Sequence, residues 1–410
     1  MPTSGKVTFN GADGNVLAGR LDMPVGESLG TALFAHCFTC SKDIFAASRI
    51  AQGLTAQGFA VLRFDFTGLG SSEGEFANTN FSSNVEDLIA AANYLRDNGM
   101  APDLLIGHSL GGAAVLAVAA SVPEAQAVAT VGAPYDPSHV AHLFGDQLDT
   151  IESEGEAEVS LAGRPFKIKR QFLKDIAGQD QKTRIASLGK ALLVFHSPLD
   201  DTVGIDNASG IFGAAKHPKS FVSLDTADHL LTRREDAEYV STVLAGWASR
   251  FLPKTDAAKA ADKPSGEGSV IVEETGQSKF QNAVQAGAHR LLADEPAGMG
   301  GTNTGPSPYD YLLVALGACT NMTLRLYAEH KGLPLTKVTT ELHHEKIHAS
   351  DCAECETKDG KLDRITRTLS FDGDLDDDQR ARLLQIADKC PVHRTLHSEV
   401  IIDTEAAPPA

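Results

Sequence analysis

A chain of 410 residues is longer than one ordinary core supports, so two or more domains are expected. A formal net charge of -18 argues against nucleic acid or an anionic membrane as partner, and no stretch approaches the roughly 18 apolar residues of a membrane span. Six cysteines are too few for a disulfide scaffold, and MPTSGKVTFNGADGNVLAG lacks the basic and apolar regions of an export signal, so a cytoplasmic setting is expected in which each cysteine is catalytic, metal-binding or inert.

From about residue 29 to residue 250, strand-like runs alternate with helical stretches: TALFAHCF, DIFAASRIAQGLTAQG, AVLRFDFTG, NVEDLIAAANYLRDNG, DLLIGHS. This alternation predicts an α/β doubly wound, mostly parallel sheet. Further strands are expected at AVATVGAP, ALLVFHSP and KSFVSLDTAD, and the polar, mixed sequence between about 135 and 190 reads as an inserted cap. LPKTDAAKAADKPSGEG has no apolar period and predicts a flexible linker. The expected organisation is a first domain over 1–253, a linker over 254–268 and a second domain over 269–405. The second domain begins with strand-like SVIVEET and KFQNAVQAGAHRLLADEP, followed by a long helix YDYLLVALGACTNMTLRLYAEHKG and more strands. A second helix DDDQRARLLQIADKC and a closing strand HSEVIID complete an α+β pattern.

The sharpest signal is GHSLGG, residues 107 to 112, between the strand-like DLLI and the small-residue helix AAVLAVAA. Gly-x-Ser-x-Gly in that context is a nucleophile elbow that projects the Ser109 hydroxyl at a helix N-terminus. A serine hydroxyl needs a base, and the base needs an acid to orient it. Asp200 follows one later strand and His229 the next, giving the order nucleophile, acid, base; Asp201 and Asp228 compete for attention in the same stretches. These segments resemble the α/β-hydrolase superfamily over roughly residues 20 to 251. The resemblance implies that His36-Cys37-Phe38 stands where the family has an oxyanion loop, with the backbone N–H of Cys37 or Phe38 joining that of Leu110 to hold a developing oxyanion. Cys37 and Cys40 also form a Cys-x-x-Cys, so a redox pair stands as the alternative reading of HCFTC. The Gly-rich turn RFDFTGLGSSEGEF fits the same family and lacks the helix start of a dinucleotide fingerprint. What the resemblance implies is ester, thioester or related acyl cleavage through an acyl-enzyme.

In the second domain Cys319 lies inside the long helix, and Cys390 ends the later one before PVHRTL. A buried cysteine is commonly an inert small hydrophobe. Yet TGPSPYDYLLVALGACTNMTLRLYA together with ADKCPVHRTL resembles the OsmC/Ohr family over roughly residues 269 to 403. That resemblance implies an intertwined homodimer and reduction of organic hydroperoxides at the expense of a dithiol, with Cys319 as the peroxidatic thiol and Cys390 as the resolving one. It further implies a thiol-activating arginine, for which Arg290 is the candidate, and an acidic partner just before the helix, where Tyr309 and Asp310 stand instead of glutamate. HHEKIHASDCAEC adds Cys352 and Cys355 at metal-ligand spacing. On a strand His344 and His348 would lie about 13 Å apart, so a zinc site could use at most His348, Cys352, Cys355 and one outside ligand; a redox pair and an acidic loop with incidental thiols are the alternatives.

The expectation is therefore a homodimeric fusion of a serine hydrolase and an OsmC-like domain, acting on a small acyl substrate and requiring no cofactor. The rivals are a hydrolase whose second half is a non-catalytic dimerisation or ligand-binding module, and a thiol peroxidase carrying a degenerate hydrolase.

Overall fold

The computed structural model describes residues 5–25, 28–161, 163–252, 269–276, 278–287, 289–348 and 360–406. The expected linker and the Cys352 and Cys355 pair lie outside the described residues. The chain forms two compact units, one of Met1–Glu273 with Ala283–Leu291, the other of Glu274–Asn282 with Leu292–Ala410.

The first unit is built on an eight-stranded sheet. Its strands are β1 (Gly5–Asn10), β2 (Val16–Asp22), β3 (Gly30–Ala35), β4 (Phe59–Phe64), β5 (Leu104–His108), β6 (Ala127–Val131), β9 (Ala191–His196) and β10 (Lys219–Ser223), in the order β1-β2-β4-β3-β5-β6-β9-β10. Only β1 and β2 run against their neighbours; from β4 to β10 every pairing is parallel. Near-continuous apolar strands such as GTALFA belong in such a sheet because helices cover both of its faces. The period of two sorts each strand between two cores: Leu33, Ala35, Leu105, Leu192 and Val194 enter one, while Ala32, Phe34, Ile106, Leu193 and Phe195 enter the other. Helices α1 (Phe45–Ala56) and α8 (Arg234–Ala248) close the second core. On the opposite face lie α2 (Phe81–Asp97), α3 (Leu110–Val118) and α7 (Asp206–Ala214).

Between β6 and β9 the chain makes the cap. A 3-10 helix over Pro137–Phe144 and α4 (Gln147–Glu154) are followed by the antiparallel hairpin of β7 (Glu156–Leu161) and β8 (Arg164–Lys169), then α5 (Arg170–Ala177) and α6 (Gln181–Ala186). Phe144 and Phe172 of the cap pack on Phe38, with Phe172 at 5.2 Å between ring centroids.

The remaining strands and helices are β11 (Val270–Glu274), β12 (Asn282–Ala286) and β13 (His289–Ala293), a three-stranded sheet, followed by α9 (Pro308–Lys331), the hairpin β14 (Leu335–His348) and β15 (Lys361–Gly373), α10 (Asp377–Ala387) and α11 (Pro391–Leu396). Ser307 caps α9: its hydroxyl accepts from the Asp310 N–H while the Asp310 carboxylate accepts from the Ser307 N–H, and Gly332 at φ 63° ends the helix. Leu324, Ala328, Leu335, Leu383 and Ile386 centre the second unit's core. The expected closing strand HSEVIID is different in the structure: residues 399–406 carry no regular structure, and Ile401 and Ile402 are 82% and 83% exposed. A strand exists only where a neighbour completes its ladder, and apolar content alone supplies none.

Candidate active site

The site begins with the turn after β5. Ser109 takes φ 55° and ψ -127°, left-handed backbone that an L-residue adopts only when its surroundings enforce it. Two glycines allow this: a Cβ on Gly107 would stand 2.3 Å from the Gly111 carbonyl oxygen, and one on Gly111 would stand 2.4 Å from that of His36. The second approach brings the segment after β3 against the start of α3. Leu110 is the first residue of that helix, so its N–H has no intrahelical acceptor.

Two later strand ends deliver the other groups. His229 Nε2 lies 2.9 Å from Ser109 Oγ, and His229 Nδ1 lies 2.7 Å from Asp200 Oδ2. With Nδ1–H donated to the carboxylate, Nε2 is free to accept the serine proton. Asp200 Oδ1 accepts from the N–H groups of Thr202 and Val203, which leaves Oδ2 for the histidine. Burial raises the proton affinity of Asp200, but the bonds from His229 and those two N–H groups outweigh it and hold the carboxyl below its usual range. The rival acids are engaged elsewhere: Asp201 accepts from the Thr202 hydroxyl, and Asp228 accepts from Leu230 and Thr232 at the surface. Gly132 follows β6, and a Cβ there would stand 3.1 Å from Asp200 Oδ2 and 3.3 Å from His229 Nδ1.

HCFTC follows β3. Cys37 and Cys40 are joined as a disulfide, with their Cα atoms 5.3 Å apart, and the Cys40 N–H donates to the Cys37 carbonyl. The loop beside Gly111 is thus the one that carries the sulfur pair. Buried His36 donates from Nδ1 to the Cys37 carbonyl, and burial lowers the pKa of its ring. The Gly-rich turn after β4 is accounted for by packing. Asp65 takes the Lys42 and Ser71 N–H groups and the Lys42 ammonium, and Gly70 at φ 54° passes so close that a Cβ would stand 2.3 Å from that carboxylate.

In the second unit, the cysteines Cys319 and Cys390 are free thiols, the first half-buried and the second fully buried. Cys390 caps α11, accepting from the His393 N–H at 3.3 Å, and its sulfur lies 3.6 Å from the hydroxyl of Thr320, the neighbour of Cys319 on α9. Arg367 on β15 donates to the Thr320 hydroxyl at 2.9 Å and pairs with Asp388 at 2.7 Å. It was not singled out in the sequence, where an arginine on a two-faced strand carries no spacing signal. The two residues expected to activate the thiol make the following contacts. Arg290 lies on β13 within Ala283–Leu291, which groups with the first unit, and its guanidinium donates to the Val25 carbonyl; Asp310 serves as the α9 cap. Tyr309 stacks on His344 at 4.3 Å, and His344 also bonds Asp363. His348 ends β14. Among the described residues, no group of three or more His, Cys, Asp or Glu is placed to hold a metal ion, and no helix is long and apolar enough to cross a membrane.

Comparison with known proteins bears on both units. Residues 27–153 match the family model described as "Serine aminopeptidase, S33", and residues 301–405 match that of "OsmC-like protein". The solved esterase domain of a Rhodothermus marinus protein is 53% identical, with a TM-score of 0.52, over 62% of this chain and 100% of that one. A solved ferulic acid complex of Est1E from Butyrivibrio proteoclasticus shares the fold at 20% identity, TM-score 0.54, covering 60% of this chain and 98% of that one. Among curated relatives, mouse mitochondrial palmitoyl-protein thioesterase ABHD10 is 36% identical over 154 residues, 35% of this chain and 49% of the relative. Its human counterpart is 36% identical over 117 residues, 28% of this chain and 36% of the relative. The chain thus spans half or less of the curated relatives it matches.

Proposed function

The chain belongs to the α/β-hydrolase family through its first unit and carries an OsmC-like domain behind it, and from that premise we propose that it is a serine hydrolase cleaving esters or thioesters through an acyl-enzyme. The observation that carries this reading is the pair of contacts made by His229, to Ser109 at 2.9 Å and to Asp200 at 2.7 Å. In the first half-reaction His229 Nε2 takes the Ser109 proton as Oγ attacks the acyl carbon, and Asp200 stabilises the imidazolium that results. The Leu110 N–H with that of Cys37 or Phe38 receives the oxyanion. His229 then gives its proton to the leaving group, and water repeats the sequence to release the acid. Aromatic packing of the cap on Phe38 supports an apolar acyl group, and the name of the curated thioesterase relatives adds thioesters to the candidates.

For the OsmC-like domain the proposal is thiol-dependent reduction of an organic hydroperoxide. The Cys319 thiolate attacks the peroxide, releasing the alcohol; the sulfenic acid condenses with the Cys390 thiol to a disulfide and water, and an external dithiol restores both. The free state of both cysteines and the approach of Cys390 to Thr320 support this. A second reading, a non-catalytic dimerisation module, draws support from Asp310 being a helix cap and from exposed Val314, Met322, Leu326, Val400, Ile401 and Ile402.

Purified full-length protein tests all of this beside Ser109→Ala and Cys319→Ser. Ester cleavage and fluorophosphonate labelling lost only in Ser109→Ala support the hydrolase, and wild-type protein that is neither labelled nor active refutes it. Dithiol-dependent hydroperoxide consumption lost only in Cys319→Ser supports the peroxidase; none in the wild type leaves the second unit as a module.

A further inference from the structure

Two strands flanking β6 end in histidines that the acyl-transfer scheme does not use. β5 reads LLIGH and β9 reads ALLVFH, every residue of both is buried, and His108 and His196 are each 0% exposed. An imidazole in a wholly apolar strand end is costly unless it is bonded, so its partner matters. His108 Nε2 lies 2.7 Å from the main-chain carbonyl oxygen of His229. His196 Nε2 lies 2.7 Å from the main-chain carbonyl oxygen of Val203, the residue whose N–H donates to Asp200 Oδ1.

A carbonyl can only accept, so in both rings Nε2 carries the proton. The other nitrogen, Nδ1 in each case, is buried and has no partner among the described residues. Burial lowers both pKa values, that of His108 to about 3, which keeps these rings neutral near the ionised Asp200. The arrangement is matched on the two sides of β6. One ring holds the backbone of the base, the other holds the turn that presents the acid, and Gly132 at φ 54° follows the strand between them.

We propose that His108 and His196 are positioning residues for the acid and base, each pinning through an Nε2–H to a main-chain carbonyl one of the two loops that set the His229 to Asp200 distance. The inference rests on the serine-hydrolase reading above. Neither side chain hydrogen-bonds a reacting atom, although the His108 ring packs on that of His229 at 5.3 Å between centroids and His196 Nε2 lies 3.8 Å from Asp200 Oδ2. They act by removing the freedom of the loops after β9 and β10, because a small misplacement of a catalytic group costs rate far more than it costs substrate affinity.

The test replaces each ring by one of similar volume without the donor, and by a side chain that keeps a donor at the same reach. On a p-nitrophenyl ester, His108→Phe and His196→Phe are expected to lower kcat about tenfold or more with KM within about twofold, while His108→Gln and His196→Gln recover kcat to within about threefold of wild type. Phe variants that retain wild-type kcat, or Gln variants as impaired as the Phe ones, overturn the proposal. If a Phe variant does not fold, imidazole 15N shifts of the wild type at pH 7.5 decide: both rings must be Nε2–H tautomers, and an Nδ1–H tautomer or an imidazolium at either position overturns it. Fluorophosphonate labelling separates the premises. A wild type labelled at Ser109 with indifferent Phe variants refutes the positioning role alone, whereas an unlabelled and inactive wild type refutes the hydrolase reading and this one with it.

Discussion

The ammonium of Lys42 lies 3.0 Å from the carboxylate of Asp65, whose other oxygen accepts the Lys42 N–H at 2.6 Å, and both side chains are shielded from water. Arg63 extends the network, donating to the Lys42 carbonyl and pairing with Asp22 and Asp43. The chain immediately after the Cys37 to Cys40 loop is therefore fixed to the end of β4 by buried charge.

Removing one member of a buried pair leaves the other uncompensated, and Asp43 only partly replaces Asp65. Asp65→Asn is expected to destabilise the first unit by about 2–4 kcal/mol, read as a lower urea midpoint. Glu156→Gln, which breaks the exposed pair with Lys167, should leave the midpoint unchanged. Equal effects of the two would mean that the Lys42 network contributes nothing through its burial.

Gly111→Ala introduces a Cβ into the space 2.4 Å from the His36 carbonyl, and backbone must shift to admit it. Because that backbone leads into the Cys37 and Phe38 N–H groups, ester turnover should fall by about a hundredfold, the scale of losing one oxyanion donor. Unaltered kcat would remove this loop from the oxyanion site.

Asp87 gives the first unit a pH dependence. Burial pushes its carboxyl up to about 6, against bonds from Thr67 that favour ionisation. With a folded value above the ordinary one, the native state holds the proton more tightly than the unfolded chain. Its contribution is complete below about pH 4 and is lost as pH rises through about 6, amounting to roughly 3 kcal/mol at most. Wild type should therefore lose stability relative to Asp87→Asn between pH 4 and pH 8; a difference in urea midpoints that stays flat over that range would show that Asp87 does not titrate this way.

The Cys37 to Cys40 disulfide closes a loop with a sequence separation of 3, so chain entropy assigns it only about 2 kcal/mol. Untreated protein should leave both thiols unalkylated under denaturing conditions, and Cys37→Ser with Cys40→Ser should lower the thermal midpoint by only a few degrees. Peptide mass mapping that finds alkylated Cys37 in unreduced protein would dispose of the bond.

Much of the first unit was legible because its signals are local. The elbow GHSLGG, the alternation of apolar strands with helices and the order of Ser109, Asp200 and His229 are all written in short stretches, and a parallel sheet places successive strand ends along one edge. The choice of Asp200 over Asp201 and Asp228 was a matter of motif register until the turn at 200–203 fixed which carboxylate faces His229. In the second unit the long helix was legible, while HSEVIID was misread as a strand, because apolar content alone does not supply a neighbouring ladder.

The sequence by itself determined the α/β order of the first domain, the serine at its elbow and the α+β character of the second, since helical and strand periods and glycine-bearing turns are properties of neighbouring residues. Tertiary structure alone decided that Arg367 approaches Thr320 and that His108 and His196 reach the main-chain carbonyls of His229 and Val203. Those contacts join positions far apart in the chain, His108 to His229 at a separation of 121 residues, and no local period encodes a distance that only the packed sheet creates.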